Sequence, residues 1–298
     1  MRLRLAIALA AACLLAGPAS QAQNTYPAQF FDAYTWSMSH PDFGGWSGLE
    51  VSADGTGFTA VSDRANIVQG RFVRDDTGRI TGIEAGEITP IRHIDGTPLP
   101  RYHDDSEGLA IGPDGRMYLS FEAVHRVVAY PDTRASRSET LPKHPDFKGM
   151  INNSSLEALA IDQNGALYTI PERSGGVTRP FPVYRLKSTR WDIPFGIRRN
   201  DGMLITGADF GPDGMLYVLE RELHGFFGFS SRVRRFNPAA TGTQAGETLL
   251  ETPPGRHDNL EGLAVWRDDA GRIRLTMISD DNFRFFQTTH FVEYTLDR

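Results

Sequence analysis

Acidic side chains recur at matching places along this chain, and their spacing is the pattern most open to a chemical reading. Three stretches begin alike: Glu107-Gly108-Leu109-Ala110, Glu157-Ala158-Leu159-Ala160 and Glu261-Gly262-Leu263-Ala264. Each runs through an apolar segment, an Asp-Gly, Asn-Gly or Ala-Gly pair and a second apolar segment, then ends on an acid. Those acids are Glu122, Glu172 and Asp280. Two further copies start at Ser47 and Thr206 and end at Asp63 and Glu220. Ahead of the starts stand His103-Asp104-Asp105 and His257-Asp258-Asn259, which repeat each other, and Asn152-Asn153. Arginine follows three of the terminal acids, as Arg64, Arg173 and Arg221. Carboxylates and amides without thiols suit a hard divalent cation, Ca2+ before zinc.

The elements that must position these residues follow from the repeat. Leu49, Leu109, Leu159, Ala208 and Leu263 are equivalent and lie 60, 50, 49 and 55 residues apart. Strand pairs joined by tight Asx-Gly turns at this period predict propeller blades. Further strand-like runs (Ile67 to Val73, Ile83 to Ile88, Pro182 to Leu186, Trp191 to Ile197) bring the count to four per unit. The last unit keeps only Thr289 to Leu296, so Phe31 to Met38 is expected to supply its fourth strand and close the ring. The expectation is one all-β domain over residues 23–298, a propeller of five, alternatively six, four-stranded blades. Antiparallel return of the second strand puts the starts and ends of each pair at the same mouth. Eight or more carboxylates then crowd one opening, and two of them ~5 Å apart repel by roughly 3 kcal/mol at an effective dielectric of ~20. A cation with arginine support, a purely structural arginine–carboxylate ring, and acids that point apart into solvent all remain open.

Charge and termini narrow the class. The 298 residues carry a net charge of −6, which argues against a general nucleic-acid or anionic-membrane binder. Met1-Arg2-Leu3-Arg4, the apolar run Leu5 to Ala16 and Ser20-Gln21-Ala22 predict a signal peptide over residues 1–22. Cleavage there removes two arginines and Cys13, the sole cysteine, leaving 29 − 37 = −8 and no disulfide. The mature chain, without a transmembrane segment, is expected in a bacterial periplasm or the medium, where Ca2+ is available. A nucleophile elbow, a Walker A loop, a His-Glu-x-x-His motif and an EF-hand are all missing, and Ser47 reads as a turn residue. Trp46, Phe226, Phe227, Phe283, Phe285 and Phe286 read as packing rather than as a base-stacking platform.

Asp105-Ser106-Glu107-Gly108-Leu109-Ala110, Leu219-Glu220-Arg221, Asp258-Asn259-Leu260-Glu261-Gly262-Leu263-Ala264 and Ser279-Asp280-Asp281-Asn282-Phe283 with Gln287 resemble the phytase-like domain family, described as having esterase-like activity of phytase. The resemblance covers nearly the whole mature chain and implies an exported β-propeller that hydrolyses phosphoesters or esters. Ser47 departs from it, standing where other units have Glu. The leading expectation is a metal-dependent hydrolase of small phosphate esters or related esters. Glu107, Glu157, Asp258, Glu261 and Asp280 are its candidate metal ligands, with Ca2+ the first choice. Arg173 and Arg221 would hold an anionic group, and His103 or His257 would act as general acid. A sugar-lactonase-like enzyme, which also uses Glu, Asn and Asp on one metal, and a non-catalytic binding or scaffold propeller are the alternatives.

Overall fold

The computed structural model describes residues 26–150 and 155–297; the expected signal peptide and Asn152-Asn153 lie outside the described residues. Five antiparallel sheets form five blades around a central channel, so the five-blade reading holds over the six-blade one. Their innermost strands are Trp46–Val51, Ser106–Ile111, Leu156–Ile161, Leu204–Phe210 and Asn259–Arg267. Each turns at its Gly with φ near +70 to +80°, Gly55, Gly115, Gly165, Gly214 and Gly271 in order. The second strands (Gly57–Ser62, Met117–Phe121, Leu167–Pro171, Leu216–Leu223, Ile273–Asp280) return to the mouth from which the first set out.

Ring closure follows the expected route. Ala28–Thr35 pairs antiparallel with His290–Leu296, completing the fifth blade from both ends of the described chain. Trp36, Trp46, Phe58, Phe72 and Phe291 pack between this blade and the first, with ring centroids 4.9–5.4 Å apart. Such a cluster gains both apolar burial and favourable edge contacts where the ring would otherwise open. Glu50 accepts from Ile111 N–H and Asp209 from Val265 N–H, tying neighbouring inner strands at the far end of the channel.

Each inner strand also carries a bulge one or two residues into the strand. The register slips at Ser47, across Glu107-Gly108, at Glu157, at Thr206 and at Glu261. A bulge re-aims the extra side chain and bends the strand. It falls on the repeated Glu, Ser or Thr in every blade. Ser47 is therefore a strand residue rather than a turn residue. Its hydroxyl donates to Ser106 O at 2.8 Å, and Thr206 donates to Leu260 O at 3.2 Å, each joining its blade to the next. The following residue must be small: a Cβ on Gly207 would lie 2.4 Å from Glu261 O, and one on Gly108 2.6 Å from Glu157 O.

Candidate active site

Glu107, Glu157 and Glu261 are the three bulge residues with carboxylates, and all three are aimed into the channel mouth, where they feel one another's charge. Asp63, Glu122, Glu172 and Asp280 reach the same space from the ends of the second strands, and Asp105 enters from the loop just before the strand that carries Glu107. The carboxyl groups of Asp105 and Glu107 face each other within hydrogen-bonding reach, as do those of Glu122 and Glu157. Asp105, Glu107 and Glu122 offer oxygens all within 4.8 Å of one another. Glu122 is held there by Ser155 N–H at 2.7 Å. Eight carboxylates thus converge as the repeat predicted.

Their protonation shows that the positive charge present is insufficient. Burial, then the neighbouring Glu261, raises Asp63 to about 7. Burial, then Glu261, raises Asp280 to about 8. Glu107 and Glu157 are pushed well above the ordinary carboxylate range by burial first and by the surrounding carboxylates second. Arg221 is the cation inside the ring, with Nη2 3.0 Å from Glu261 and 3.7 Å from Glu172. Arg173 stands at the rim, its Nε 3.1 Å from Glu172. Beside it a cavity of about 490 Å³ is lined by Arg173, Ser174, Gly175, Arg179 and Tyr184. Arg64 covers the opposite side, 3.3 Å above the Phe283 ring.

Two buried oxygens in this neighbourhood accept no hydrogen bond, Asp63 Oδ1 and Asn259 Oδ1. Asn259 donates from its amide nitrogen to Glu261 at 2.8 Å and more weakly to Asp280 at 3.4 Å, which leaves its Oδ1 as a free donor oxygen. An oxygen-only set with unsatisfied buried acceptors fits a hard divalent cation. The residues that would hold it are Glu107, Glu157, Glu261 and Asp280 from the sequence reading, with Asp105, Glu122 and Asn259 added. Asn259 was quoted in a motif without a role; its signal was its place two residues before Glu261, on the same strand face.

Three expected site residues lie apart from the ring. Asp258 accepts from Gln287 Nε2 and Thr288 N–H, both at 2.9 Å, so its carboxylate anchors the loop 281–289. His257 sits between Phe30 and Tyr294 with its Nε2 2.8 Å from the tyrosine hydroxyl. Burial, then Arg256, lowers it to about 4, which disfavours the imidazolium form that a general acid at neutral pH would use. His103 is lowered by burial and by Arg126, and its backbone carbonyl accepts from the Arg126 guanidinium. Glu220, expected at the mouth, instead turns into its own blade. It receives Arg232 Nε at 2.8 Å and Arg234 Nε at 2.7 Å. Strand alternation is the reason: Arg221 takes the mouth side, so Glu220 takes the other.

No curated protein matches the chain. Among solved structures, a gluconolactonase from Xanthomonas campestris is 13% identical, over 85% of this chain and 72% of that one, with a TM-score of 0.47. Regucalcin from Agrobacterium tumefaciens, a calcium-binding protein, is 9% identical over 85% and 91%, with a TM-score of 0.47. A protein of unknown function from Dyadobacter fermentans is 12% identical over 88% and 79%, with a TM-score of 0.49. The model of the phytase-like family, described as esterase-like activity of phytase, matches residues 41–283, which span all five inner strands and every ring carboxylate. With the match covering most of its length and the five-bladed ring in place, this chain belongs to the phytase-like family.

Proposed function

We propose that the chain is an exported, metal-dependent hydrolase of small phosphate esters or related esters, working at the acidic mouth of the propeller with Ca2+ as its cation. The observation that carries this reading is the convergence of eight buried or half-buried carboxylates whose repulsion Arg221 alone does not offset. The family description supports ester chemistry. When bound, the cation supplies Lewis-acid charge and makes water a stronger acid at neutral pH. Glu107, Glu157, Glu261, Asp280 and Asp105 supply its oxygens, with Glu122 and Asn259 completing the set.

The chain's own groups then divide the remaining work. Arg221, fixed between Glu261 and Glu172, faces the ring and offers charge-assisted hydrogen bonds to an anionic substrate oxygen. Arg173 and Arg179 line the adjoining cavity, which has room for the rest of a small ester. Asp63, outside the Asp105–Glu107–Glu122 group and with an Oδ1 that accepts no hydrogen bond, is the carboxyl placed to exchange a proton with water or a leaving oxygen. It takes the role first assigned to His103 or His257. Asn259, its amide nitrogen held by Glu261 and Asp280 and its Oδ1 free, also favours a lactone-opening variant of the same chemistry.

A panel of phosphate monoesters, carboxylic esters and lactones separates these readings. The chelator-stripped chain should be inactive and regain turnover with Ca2+ on one class. Glu107→Gln should lower that turnover at least roughly 100-fold. Equal activity in chelator and in Ca2+ would refute metal dependence, and no turnover on any class would leave a binding or scaffold propeller.

A further inference from the structure

Four of the five phenylalanines read as packing residues do not pack inside. Phe226 and Phe285 are fully exposed, and Phe227 and Phe286 are 78% and 65% exposed. With Tyr102 and Val177 they account for six of the eleven large exposed apolar side chains among the described residues. All six stand on loops that join second to third strands or enter an inner strand, and so surround the same mouth as the carboxylates. Soluble surfaces scatter such residues singly; four phenylalanines raised on two loops are a different case.

The two phenylalanine loops form one ridge. Gly255 lets the Phe227 carbonyl come in where a Cβ would be 2.8 Å away, and its N–H donates to Phe229 O. Arg256 follows it, and two residues on Asp258 grips Gln287 and Thr288 of the second phenylalanine loop. Loops 222–228, 252–258 and 281–289 are therefore tied in series along the fourth and fifth blades. On these three loops and on 98–105 and 172–180, the exposed ionised side chains are Arg101, Arg173, Arg179, Arg256 and Arg284 against Asp104 alone. Arg101 lies 4.7 Å over Tyr102 and Arg284 5.9 Å from the Phe286 ring. On these five loops, then, a chain of net charge −6 shows solvent mainly basic and aromatic side chains.

We propose that this rim docks the mouth face on an anionic lipid surface. Aromatic tips enter the headgroup–acyl boundary while flanking arginines meet anionic headgroups. The ring of carboxylates would face the bilayer, recessed behind the rim. The pattern matches lipid better than a protein partner because the apolar residues are raised singly or in pairs between arginines, with no continuous flat patch. The rim shares Arg173 and Arg179 with the hydrolase reading, and neither is altered in the test that follows.

Co-sedimentation of the purified full chain with vesicles tests it without any turnover. The chain should pellet with mixed phosphatidylglycerol–phosphatidylcholine vesicles and far less with phosphatidylcholine alone. Phe226→Ser/Phe227→Ser and Phe285→Ser/Phe286→Ser should each cut the bound fraction roughly tenfold, with unchanged melting because the side chains are solvent-exposed. Arg256→Glu/Arg284→Glu should remove the preference for anionic vesicles. Failure of the wild-type chain to pellet, or serine variants that pellet like wild type, would overturn the proposal. So would serine variants whose sole effect is a raised KM for a soluble ester, which would assign the rim to substrate.

Discussion

At the scale of single residues, the account turns on carboxylates buried together without enough positive charge. Replacing Glu107 by Gln removes a carboxyl that is costly to bury among other carboxyls, so the cation-free protein should be more stable than wild type near pH 7. The same change should abolish most of the stabilisation that Ca2+ confers on the wild type. Melting curves in chelator and in Ca2+ check both signs. The pH dependence follows from Asp63 at about 7 and Asp280 at about 8, both raised from 3.8 mainly by burial. A carboxyl raised on folding adds stability that is fully present below its unfolded value and is lost as pH climbs through the folded one. In chelator the chain should therefore melt at progressively lower temperature between pH 4 and pH 8. Saturating Ca2+ should flatten that slope.

At the scale of elements, the inner-strand bulge converts a repeated residue into a repeated direction. Glu107, Glu157 and Glu261 were legible as chemistry because the repeat exposes their register, but the bulge that aims them is not visible in hydrophobic alternation. The placement of Asp258 was hard to read for a related reason. Nearness to Glu261 in sequence does not say which of Asp258 and Asn259 faces the mouth, and strand alternation chooses Asn259. Glu220 and Arg221 exchange places in the same way. Gly207→Ala would set a Cβ 2.4 Å from the Glu261 carbonyl and should cost about 1–3 kcal/mol. Gly115→Ala, with open space but φ of +80°, should cost only about 1 kcal/mol. Asp258→Ala should speed amide hydrogen exchange in residues 281–289 while leaving Ca2+ affinity within about threefold. A large loss of affinity there would restore Asp258 as a ligand.

At the scale of the whole molecule, the ring was readable from a 49–60-residue period, paired turns and a missing strand. Closure by the two ends of the described chain came from counting strands, and it holds. What the sequence concealed was the difference between the histidine repeats and the acids beside them: His257 stacks on Phe30, and His103 keeps company with Arg126. It also concealed the exposed phenylalanines, because apolar composition alone does not say which aromatics reach the core. The central claim, that the converged carboxylates hold a divalent cation, is tested most directly by calorimetric titration of the chelator-stripped chain with Ca2+. Saturable binding is predicted, weakened at least roughly tenfold in Glu107→Gln and in Glu157→Gln. Absence of binding, or binding that both variants retain at wild-type affinity, would contradict it.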